Sequence, residues 1–94
     1  MRYSWTPEAL ARARVLEVQV AEVHQVLTSG RPVLRKLEDD QVLRIIGTTP
    51  SGRVIEVWLR EDPAASDDDW EIMVAFEAGL AGQALYRKVV GQEV

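Results

Sequence analysis

Residues 45–61 read IIGTTPSGRVIEVWLRE. Pro50 and Gly52 stand between two apolar runs. Proline's fixed φ suits the first central position of a type I turn, and glycine takes the positive φ that follows. After the turn the residues alternate. Ile55, Val57 and Leu59 point one way; Val54, Glu56, Trp58 and Arg60 point the other, which is the period of a half-buried strand. The stretch predicts a hairpin with Arg44 and Arg60 on neighbouring strands, able to face the same side.

Further out, PVLRKLEDDQVLRIIGTT reads as two strands about an EDD turn, REDPAASDDDW as a polar loop, and WEIMVAF as one more strand. Upstream, SWTPEALARARV begins like a helix. Ser4 or Thr6 can cap it, Pro7 suits the first turn, and Glu8 complements the positive helix end. Val18, Val20, Val23, Val26 and Leu27 recur at helical spacing before the stop signal SGRP, so a second helix is expected from about Val20 to Ser29. GLAGQALYRKVV is the closing helix, with Ala81, Leu85 and Val89 on one side and with Gly79 and Gly82 weakening its first turns. The order predicts one α+β domain over residues 1–94. Two N-terminal helices and a C-terminal helix would cover one face of an antiparallel three- to four-stranded sheet.

The chain has 94 residues, and a domain of this size buries roughly 60–65% of the surface its unfolded chain exposes. The core is marginal, which favours self-association. No cysteine is present, so disulfides, thiolate metal sites and a cysteine nucleophile are excluded. No uncharged run approaches the ~20 residues of a membrane span. MRYSWTPEALARAR has no apolar signal-peptide core, so a cytoplasmic location without membrane contact is expected. The net charge of −4 disfavours a nucleic-acid partner, which calls for a basic excess or a dense basic patch.

Three segments carry a family resemblance. YSWTPEA stands ahead of a helix, IIGTTPSGRVIEVWL has a glycine, a Gly-Arg pair and a following valine, and IMVAFEAGLAGQALY places Ile72, Ala75, Ala78 and Tyr86 in register. Together they resemble the BrnT family of ribonuclease toxins within the wider RelE-like group. VAEVHQVL, with Ala11, Arg12, Arg14, Val23, Val26 and Leu27, also fits a related group of uncharacterised toxin-like domains. The resemblance implies a RelE/BrnT-like fold and a metal-independent endoribonuclease ancestry. It departs at the chemistry. The family's Ser-Ala-Arg is Val74, Ala75 and Phe76 here, its later Glu-Arg is Gly82 and Gln83, and its Lys-His-Gly falls on Val15, Leu16 and Glu17.

Such a ribonuclease needs a base for the 2′-hydroxyl, a cation for the pentacovalent phosphate and an acid for the leaving oxygen. The candidates in this chain are Arg44, Arg60, Tyr86 and Arg87. Arg53, Arg87 and Lys88 are the candidate nucleic-acid contacts, with Tyr86 as a hydrogen-bond donor or stacking platform beside them. The solvated helix face is the plainer reading of Arg87 and Lys88. His24, the one histidine, sits mid-helix among valines and reads as structural. Glu61, Asp62, Asp67, Asp68 and Asp69 fail the alternating spacing of a calcium loop, so no metal or other cofactor is expected. Trp5, Trp58 and Trp70 are many for so small a core, and at least one is a candidate interface anchor.

Three functions remain open on the sequence. The first is a catalytically degenerate toxin-fold domain acting through protein contacts, as a homodimer or with an antitoxin-like partner. The second is an active endoribonuclease toxin. The third is an unrelated structural or regulatory domain.

Overall fold

The hairpin sets the frame. In the computed structural model, which describes residues 2–28, 30–39, 41–62 and 69–91, strand β3 (Val42–Thr48) pairs antiparallel with β4 (Val54–Glu61). The turn closes as its residues require. Gly52 donates its N–H to the Thr49 carbonyl at 2.9 Å and has φ +88°, and the Thr49 N–H bonds back to Arg53. Strand β2 (Leu34–Asp39) pairs with β3 on one side, and β5 (Asp69–Glu77) pairs with β4 on the other, both antiparallel. The EDD turn is tied by the Asp39 carboxylate, which accepts from the N–H groups of Gln41 and Val42; Asp40 lies outside the described residues. Most of the acidic loop, including Asp67 and Asp68, also lies outside them.

The sheet has a fifth strand that the sequence reading lacks. Arg2–Trp5 form β1 and pair with β5 in parallel, Arg2 opposite Asp69 and Trp5 opposite Ile72. The sheet is therefore mixed and five-stranded, ordered β1-β5-β4-β3-β2, rather than antiparallel with three or four strands. The cause is local at one end. A residue before proline is driven out of the α region, and Thr6, before Pro7, is extended at φ −81° and ψ 154°. The helix cannot begin earlier, so Tyr3 and Trp5 turn inward at strand spacing. Thr6, not Ser4, caps helix α1 (Pro7–Val15), accepting from the Ala9 N–H at 3.1 Å.

Helix α2 spans Val20–Thr28; Ser29 lies outside the described residues. The Gln19 N–H reaches the Glu22 carboxylate at 3.0 Å, half of a capping box. Helices α1 and α2 cover one face of the sheet. Ala9, Ala13, Val23 and Val26 pack there on Leu43, Ile45, Ile55, Val57, Leu59 and Ile72.

Helix α3 (Leu80–Gly91) lies on the opposite face, which corrects the expectation of helices on one face only. Its buried side is Gly82 and Tyr86, with Leu85 and Val90 partly covered, whereas Ala81 and Val89 are exposed. Tyr86 packs with Leu34, Ile46 and Ala78. Ile45 and Ile46 point to opposite faces, and each is at most 3% exposed, because both faces carry a helical layer.

Candidate functional site

The face under α3 carries the most organised polar group. Arg44 on β3 stands opposite Trp58 on β4, and Glu56 lies two residues earlier on Trp58's face. The Arg44 guanidinium donates twice to the Glu56 carboxylate, Nε to Oε2 at 3.0 Å and Nη2 to Oε1 at 3.2 Å. The Trp58 indole N–H donates to Oε2 at 2.7 Å. The guanidinium carbon also lies 5.6 Å from the Trp58 ring centroid, within cation–π range. On β2, Glu38 comes within 3.7 Å of Arg44 and 3.8 Å of Lys36. Glu56 is only 4% exposed. Such a carboxylate requires donors, and three N–H groups supply them. Gly82 leaves the space in which the carboxylate sits.

Arg53 is similarly engaged. Its Nη1 donates to both oxygens of Glu22 at 2.7 and 3.0 Å, and its Nε to Glu77 at 3.0 Å. These bonds, to Glu22 first and then to Glu77, raise its already high pKa further. The knot ties the hairpin turn to α2 and to the end of β5. Arg60 donates to Glu71 at 2.8 Å, a half-exposed pair on the neighbouring strand. Arg60 and Glu71 share a shallow depression of about 240 Å³ with Thr6, Glu8 and Arg12.

Arg44 and Arg60 thus share a face of adjacent strands, as the hairpin predicts, but each is closed by its own carboxylates. Tyr86 is engaged elsewhere. Its hydroxyl donates to the Pro32 carbonyl at 2.9 Å and the residue is 8% exposed, so it anchors α3 to the approach of β2 instead of presenting a donor or a stacking face. Arg87 and Lys88 are exposed on α3. His24 is exposed, and its Nδ1 meets the Tyr3 hydroxyl between α2 and β1. Trp5 and Trp70 pack at the margin of the α1/α2 core and Trp58 at the Arg44–Glu56 pair; all three are half-buried. Among the described residues no cluster of His, Cys, Asp or Glu is suited to a metal ion, and no helix is long and apolar enough to cross a membrane.

The residue that sequence reasoning passed over is Glu56. Its place beside Trp58 and Arg60 on the outward parity of β4 was legible, and so was Arg44 across the hairpin. Its burial was not, because that depends on where Gly82 lands. No protein-family model matches this chain, and no curated protein matches it.

Proposed function

We propose that this chain is a catalytically degenerate, cytoplasmic relative of the BrnT/RelE-like ribonuclease toxins that acts through protein contacts, with a second copy or an antitoxin-like protein as its partner. The α-α-β-β-β-β-α order behind β1 is compatible with that ancestry. One observation carries the functional half. Three of the five candidate cations are already engaged, Arg44 by Glu56, Arg53 by Glu22 and Glu77, and Arg60 by Glu71, and the other two, Arg87 and Lys88, lie on the exposed side of α3. An incoming phosphate would compete with these carboxylates and stand close to their charge. Transition-state stabilisation requires donors aimed at the developing charge, and losing one such donor typically costs about 10²–10³ in rate. With Phe76 at the family's cation position and Tyr86 bonded to Pro32, no replacement is supplied there. The half-buried Trp5, Trp58 and Trp70 are the proposed contact anchors.

The test is induction in a heterologous bacterium with bulk RNA followed over time, alongside purified protein and RNA at neutral pH. The expected result is continued growth and intact RNA. Robust cleavage that Arg60→Ala or Arg87→Ala abolishes would instead establish the active toxin.

A further inference from the structure

Strand β2 ends the strand order and, among the described residues, bonds to β3 on one side only. Its residues 35–39 read Arg-Lys-Leu-Glu-Asp, and all five are exposed. An edge strand leaves a row of N–H and C=O groups unpaired, and proteins commonly blunt such edges with charge. Here the charges are sorted by sign, two cations before one leucine and two anions after it. We propose that β2 docks against β2 of a second copy of this chain, antiparallel, about a two-fold axis through Leu37.

The register follows from symmetry. A two-fold axis that joins two sheet edges antiparallel stands perpendicular to the sheet and keeps every side chain on its own face. Centred on Leu37, it sets Lys36 opposite Glu38 twice, on the face that α3 covers; the extra residue at Glu38 turns Asp39 to that face too, away from Arg35. Directly opposed unlike charges stabilise antiparallel strands, and like charges destabilise them. Moving the centre by one residue brings Lys36 onto Lys36 or Glu38 onto Glu38. Parallel, in-register pairing opposes every like charge. Of these arrangements, only the antiparallel one centred on Leu37 sets unlike charges opposite each other at positions 36 and 38.

The neighbouring contacts are compatible with it. Leu37, 57% exposed, meets its twin at the axis, and each shields the other from water. The β2–β3 register shifts between Leu37 and Asp39, so the regular part of the edge that the pairing uses ends at Glu38. The pairing needs only this edge and its charges, so it is independent of the reading on RNA. A monomeric mass would remove the pairing and leave that reading in place; RNA cleavage would do the reverse.

The chain has no cysteine, so Leu37→Cys places a single thiol at the axis. Opposed Cα atoms in antiparallel strands are about 4.5–5.5 Å apart, inside the ~4.4–6.8 Å range of a disulfide. Under mild oxidation Leu37→Cys is expected to give a covalent dimer faster than Leu80→Cys, a thiol at an 86% exposed site on α3. Leu37→Lys disturbs no buried contact and opposes two cations at the axis. It is expected to weaken the dimer at least about tenfold by sedimentation, and Lys36→Glu and added salt weaken it too. A monomeric mass for the unaltered chain at about 100 μM in low salt overturns the proposal. So does a dimer that Leu37→Lys leaves unchanged, which would place the contact on another surface.

Discussion

A Cβ at Gly82 would stand 2.9 Å from Oε1 of Glu56, so the first turn of α3 rests directly on the carboxylate of β4. In an exposed helix, Gly→Ala gains about 1 kcal/mol. Here the oxygen cannot withdraw freely, because Arg44 and Trp58 hold the carboxylate by three hydrogen bonds. Gly82→Ala should therefore lose about 1–2 kcal/mol in urea denaturation, the cost of overpacking exceeding the helix gain. A more stable variant would show that the carboxylate is free to move.

The Arg44–Glu56 pair makes a second prediction. The Glu56 side chain is 5% exposed and that of Arg44 is 18%, so removing either partner strands a charge that water reaches poorly. Glu56→Leu alone should cost about 2–4 kcal/mol. Combining it with Arg44→Met should cost clearly less than the sum of the two single changes, with a coupling of about 1–3 kcal/mol. Additive losses in that double-mutant cycle would mean that the two charges do not depend on each other.

How much of this was legible follows from the range of each interaction. The 49–53 turn is local chemistry, and Pro50 and Gly52 announced it. Strand β1 was not announced: it is four residues long and its partner, β5, lies at the other end of the chain. The side taken by α3 left a weak trace, in that Ile45 and Ile46 are adjacent and both apolar, as a strand covered on both faces requires. Of Ala81, Leu85 and Val89, read as one side of the helix, only Leu85 turns inward, and the buried residues are Gly82 and Tyr86, because the close approach to Glu56 needs a residue without a side chain. The polar parity of β4 correctly gathered Glu56, Trp58 and Arg60. Alternation alone does not separate a polar face in water from one beneath a helix.

Tyr3 gives a pH prediction. Burial raises its pKa above the ordinary 10.0, since the phenolate is disfavoured away from water. The folded state therefore holds the proton more tightly than the unfolded chain. Its contribution to stability is complete below pH about 10 and is lost as pH rises through the folded pKa. Tyr3→Phe should flatten that alkaline part of the stability profile. An ultraviolet titration in which Tyr3 ionises at the ordinary value would remove the effect.

The last prediction concerns the junction of α1 and α2. Glu17 has φ +58°, the left-handed conformation that a side chain disfavours and glycine adopts freely. It is held there by the α1 terminus: the Val18 N–H bonds to the Ala13 carbonyl at 2.9 Å, the Glu17 N–H to Arg14 at 3.2 Å, and Val18 is buried in the core beyond. This is the Schellman arrangement, in which glycine is the usual residue at the left-handed position. Glu17 is exposed, so replacing it removes no buried contact. Glycine relieves the strain but frees the unfolded chain, and the two effects oppose each other. Relief of a left-handed side chain is worth about 1–2 kcal/mol, and the added unfolded-state entropy returns roughly half of it. Glu17→Gly should therefore raise stability by about 0.5–1 kcal/mol, and Glu17→Val, whose branched Cβ tolerates this φ least, should lower it. The opposite order in thermal or urea melts would mean that the helix ends in some other way.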